Sequence, residues 1–243
     1  MKKLFAFLLF LVVWVPSAQA AFVAAAHYDN VSSSSGVVTK PTGTADNDIM
    51  FTLIKRIGTT DPNSVPSGWT LVTTRRDLAG GSSFWLYWKL ASSEGTDYTW
   101  GFAAAARLGI TVYTYRGGFD TADPIDVVSD TAYITSNTTV QAATMTVTAA
   151  NSVLLFFGGI NQSSSITFTA PTVPTTFTED VDQYSDQSRF GRTVASVVWT
   201  GSGATGSMDA TASGTTVDKH AFAVALNPSA GSSSGLLLRR RRG

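Results

Sequence analysis

The sequence predicts an all-β protein, a jelly-roll-like antiparallel β-sandwich of about 10–12 strands in a single domain. Three observations carry this expectation. No stretch sustains a 3.6-residue apolar period. Alternating apolar residues and β-branched runs recur instead. Gly, Pro, Asn and Asp break those runs at short intervals.

The chain divides into residues 1–20, 21–228 and 229–243. Lys2 and Lys3 precede the apolar run "LFAFLLFLVVWV"; Pro16 breaks it, and Ala18 and Ala20 stand in A-x-A register. This is the pattern of a secretory signal peptide cleaved after Ala20. The run is shorter than the ~20 residues that span a bilayer, so no transmembrane segment is expected in the mature chain. At the other end, a small-residue linker leads to Leu236–Leu238 and Arg239–Arg242, read as a disordered basic tip. With no cysteine, neither a disulfide framework nor a thiol nucleophile is available. The neutral formal charge hides an asymmetry. Six of the 17 cations lie at the ends and all 17 acids lie in the body, which keeps eleven cations and is net acidic. Such a body repels phosphate backbones, so no specific nucleic-acid binding is expected.

Eleven segments of the body read as strands, in order: "FVAAAHY", "DIMFTLIKRI", "GWTLVTTRR", "SFWLYWKLA", "DYTWGF", "RLGITVYTYRG", "TTVQAATMTVT", "NSVLLFFGGI", "TFTEDVDQY", "RTVASVVWTG" and "DKHAFAVALNP". The longest apolar runs, "IMFTLI" and "SVLLFFGGI", are expected at sheet centres, buried on both faces. A faint echo links "NDIMFTLIKRIG…VPSGWTLV" to "NSVLLFFGGINQ…APTVPTTFTE". It reads as sandwich pseudo-symmetry, short of a repeat.

No reactive constellation emerges, and the chain is not expected to be an enzyme. The G-x-S-x-G pattern at Gly231–Gly235 lies in the linker, without the strand before it and helix after it that a nucleophile elbow needs. His27 and His220 lie in the first and last strands, where they are able to neighbour each other, but two imidazoles make neither a triad nor a zinc site. Asp180 and Asp182 alternate onto one strand face near Glu179 and Asp186, a solvated acidic face. In "YRGGFDTADPID", Gly117 and Gly118 end a strand and Pro124 fixes the exit; Asp120, Asp123 and Asp126 offer oxygens to a structural calcium ion, the one cofactor considered. The sequons at Asn30, Asn137 and Asn161 are expected by chance in a chain this rich in Ser and Thr.

The fragments "DNDIMFTLI", "VPSGWTLV", "LYWKLASSEGTDYTW", "ITVYTYRGGFDTADPID", "NSVLLFFGGI" and "KHAFAVALNP" occur in an order that resembles a group of secreted bacterial and bacteriophage jelly-roll domains. That group is similar in fold to carbohydrate-binding modules and virion structural domains. The resemblance implies no catalytic activity.

Strand parity divides the aromatic stretch Ser83–Phe102. Phe84, Leu86, Trp88 and Leu90 form one face and read as core; Trp85, Tyr87 and Lys89 form the other. Side chains in such a row stand about 7 Å apart, and two rings with a cation have the composition of a glycan platform. A covering loop or a neighbouring subunit explains the same face. Tyr98 and Trp100 alternate likewise in the next strand, within reach of cross-strand pairing. The expected function is a secreted, non-catalytic module that binds glycan or another cell-surface polymer. The alternative is a structural part of a surface layer or phage particle, with the aromatic face as a subunit contact.

Overall fold

The computed structural model describes residues 20–77, 81–130, 137–216 and 218–229. The leader and the tip beyond Ser229 therefore lie outside the described residues. Within them there are sixteen strands and no helix, more strands than expected. The central sheet of the first half has the order β1-β6-β2-β5-β4, built from Ala21–Thr39, Asp97–Arg116, Ile49–Ile57, Ser82–Leu90 and Thr70–Asp77. The second sheet has the order β12-β13-β10-β16-β7, built from Thr178–Ser185, Phe190–Trp199, Ser152–Asn161, Asp218–Leu226 and Ile125–Asp130. All named pairings are antiparallel.

These sheets stack face to face. Ile49, Phe51 and Leu53 of β2 meet Val153, Leu155 and Phe157 of β10, and the Phe51 and Phe157 rings lie 5.1 Å apart. The opposite face of each sheet is also covered. Over the first sheet folds a ribbon made of the C-terminal half of β1, the N-terminal half of β6 and the short β3 (Pro62–Ser64). Over the second lies the sheet β11-β15-β8, from Phe168–Thr169, Met208–Thr216 and Asn137–Ala142. Beside it pair β9 (Thr146–Val147) and β14 (Gly203–Ala204). The molecule thus has four layers and three apolar interiors. This explains why β2 and β10 are apolar on both parities: a strand buried on both faces has no side to give to polar residues.

The second half repeats the path of the first, with the short pair β9 and β14 added. Each central sheet places its strands, in chain order, at one edge, the centre, the other edge, then the two gaps. Each outer layer joins the same three positions: β1, β6 and β3 in one half, β8, β15 and β11 in the other. Irregularities recur as well. A bulge lies at Val23 in β1 and at Asp126 in β7, and another at Val72 in β4 and Asp180 in β12. Asn47 and Asn151, each just before a central strand, have φ of 68° and 65°, the left-handed region that Asn tolerates. "Val65-Pro66-Ser67-Gly68-Trp69-Thr70" answers "Val173-Pro174-Thr175-Thr176-Phe177-Thr178", with Trp69 and Phe177 both buried at the entry to the third inner strand. The echo in the sequence is therefore a duplicated, jelly-roll-like topology, and the two copies share the middle interior.

Two expected strands fuse. "DYTWGF" and "RLGITVYTYRG" are one bent strand, β6, and "FVAAAHY" continues through the Ser32–Ser35 run to Thr39. The bend is made by register: Ser33 faces Ala106 whereas Ser35 faces Gly101, so residues 102–105 bulge out of the β1 ladder and turn the ribbon over.

Candidate functional site

Parity on β5 is as expected, but its second face is not open. Phe84 and Leu86 are buried in the middle interior, with Trp88 and Leu90 packed on its margin. Trp85, Tyr87, Tyr98 and Trp100 are all buried in the first outer interior. They form a ladder across two layers. Trp100 lies 4.7 Å from Tyr87, Trp85 lies 5.8 Å from Phe102, and Trp69 closes the end at 5.3 Å from Tyr98 and 5.7 Å from Trp100. The expected flat platform is thus corrected: the rings of β6 cover those of β5 instead of lying beside them in one sheet. β5 pairs with β2 and β4, and β6 reaches it by folding over. Rings stacked in this way bury a large apolar area and add about 0.5–1.5 kcal/mol per pair beyond it.

The ladder is sealed by polar contacts at its rim. Lys89 does not stand free on a platform. Its ammonium donates to Glu94 at 2.9 Å and to the Ser67 carbonyl at 3.1 Å. Tyr98 Oη donates to the same carboxylate at 3.0 Å. Burial opposes ionisation of Glu94, but hydrogen bonds from the Ser92 amide, Lys89 and Tyr98 outweigh it and hold its pKa below the usual value. The Trp85 indole donates to Asp61 at 3.0 Å, which ties the loop before β3 to the ladder. Among the described residues the indole N–H groups of Trp69 and Trp100 find no acceptor.

The three acids considered for calcium are held apart. Asp120 accepts from the Ala122 amide at 2.8 Å, and Asp126 accepts from both the amide and the hydroxyl of Thr148 at 2.7 Å. Asp123 contributes its backbone carbonyl to Asn227. Asp120 caps its own turn and Asp126 the turn at Thr148, and among the described residues no three acidic or histidine groups converge on one point.

On β12 the bulge reverses the expected alternation. Asp180 turns into the mouth of the middle interior, where Tyr115 donates to it at 2.9 Å. Asp182 takes the other face and accepts from the Phe168 amide, with Glu179 as its charged neighbour. Burial raises the pKa of Asp180; burial, then repulsion by Asp182, raises that of Glu179. The two histidines stay apart in different sheets: His27 meets Thr111 at 3.4 Å, and His220 stacks on Phe84 at 4.5 Å.

What the sequence reading missed is a buried charge cluster that joins the two halves. Arg192 on β13 is fully buried and holds Asp29 of β1 with contacts of 2.6 and 3.1 Å. Ser188 donates to the same carboxylate at 2.5 Å. Lys55 on β2, also fully buried, donates to the Ser188 carbonyl at 2.7 Å, and Arg107 holds the Gln187 carbonyl at 2.9 Å. Three cations and an acid thus close around the β12–β13 turn. The signal was present: Lys55 shares the parity of Phe51 and Leu53, so a charge lay in register with a core face.

Among the described residues no helix is long and apolar enough to cross a membrane. No protein family, curated protein or solved structure matches this chain.

Proposed function

We propose that this chain is a non-catalytic structural module of a surface layer or particle, acting through contacts with other subunits. One observation carries the reading: the aromatic rings that would serve a ligand platform are consumed in packing one layer of the molecule on another. A chain that spends Trp69, Trp85, Tyr87, Tyr98 and Trp100 on rigidity is built as a block. The leader-like N-terminus and the resemblance to secreted and virion jelly-roll domains support an exported or particle-borne location. A second reading, a glycan-binding module, is favoured by the indole donors of Trp69 and Trp100, which meet no acceptor among the described residues.

Light scattering of the chain from Ala21 over a range of concentrations, beside a polysaccharide pull-down, separates the two. The structural reading expects association that grows with concentration and no retained polysaccharide. Retention that disappears on Trp69→Ala, with the circular dichroism spectrum unchanged, would establish the glycan reading instead.

A further inference from the structure

We propose that the C-terminal segment Leu236–Arg242 docks along β12 of its own chain as an added edge strand. β12 is an outer edge of the second sheet, so one row of its backbone groups has no strand partner. A groove of about 330 Å³ opens at its start, lined by Ala20, Val153, Thr178, Ser196, Val197 and Val198. From there the strand carries Glu179 and Asp182 on one face and Asp180 on the other. None of these three carboxylates has a cation within salt-bridge distance among the described residues. An edge of this charge repels another acidic edge and accepts a basic one.

The tail has the matching order. Three leucines come first, opposite the entry to the strand, and four arginines follow. Residues of an added strand alternate between faces, so two arginines reach each set of acids. The path fits too. β16 ends at Leu226, paired with Val153, at the same end of the sheet where Thr178 pairs with Ser196. Crossing β10, β13 and β12 to reach the open edge takes four strand spacings, about 19 Å. Residues 230–235, extended, cover about 20 Å. The tail then runs parallel to β12.

Hydrogen exchange tests this on the full chain, on a chain ending at Ser229, and on a variant carrying Arg239→Ser through Arg242→Ser, which leaves the body untouched. The amides of Thr178–Ser185 should exchange about tenfold more slowly in the full chain than in either variant, with β10 amides unchanged and no dependence on protein concentration. Equal β12 exchange in all three overturns the proposal. Protection that rises with concentration also overturns it, because the edge would then be taken by a second copy.

Discussion

At the scale of single residues, Lys55 is the most consequential. Burial depresses its pKa from 10.5 to about 7, with Asp218 and Asp29 opposing and Arg107 and Arg189 adding to the shift. The folded state therefore binds fewer protons than the unfolded chain between those values. Stability rises with pH through that window and is flat with respect to this group below about 7. Thermal unfolding should give a higher Tm near pH 9.5 than near pH 7, and Lys55→Met should flatten that slope. Gly159 is tested by volume. A Cβ there would lie 2.6 Å from Phe84 Cε1, inside the middle interior. Gly159→Ala should cost about 1–3 kcal/mol in denaturant unfolding, and Phe84→Leu in the same chain should recover part of it.

At the scale of elements, the aromatic ladder decides how the first half holds together. Trp100→Ala removes the ring that touches both Trp69 and Tyr87, and should destabilise the fold by about 3–5 kcal/mol in the same measurement. The parity of β5 was legible because period-two patterning is local. What covers its second face was not. The covering strand is the front of β6, and its approach depends on a bulge through Phe102 and its neighbouring alanines, which carries no turn residue to announce it. The failure on β12 has the same origin: one extra residue in a strand exchanges its faces. β15 went unread for another reason. Its buried side is Met208, Ala210 and Ala212, positions that in the first half hold Tyr98, Trp100 and Phe102. Small residues alternate without leaving a hydrophobic signature. The calcium reading counted carboxylates along the chain, whereas backbone donors that need caps decide where those carboxylates point.

At the scale of the whole molecule, the halves are alike in path and unlike in chemistry. Where β5 has Phe84, the matching place on β13 has Arg192; where β6 has Gly109, β16 has His220; where β2 has Lys55, β10 has Gly159. Bulk on one sheet thus meets a gap on the other. The charged grip of Asp29, Lys55 and Arg107 on the β12–β13 turn runs entirely between halves. Neither half should therefore fold alone. Residues 21–118 and 125–229 expressed separately are expected to lack the dispersed amide NMR spectrum that the joined chain shows, since each would expose the face lined by Phe51 or Phe157.

The duplicated path also makes the order of the halves arbitrary. Residues 117–124 lead from the last strand of one copy to the first of the other, and Ala20 and Leu226 come together at Val153 in the corresponding place. A circular permutant opened between Asp120 and Asp123, with a short linker from Ser229 to Ala21, should reach the native state with an unchanged near-ultraviolet spectrum.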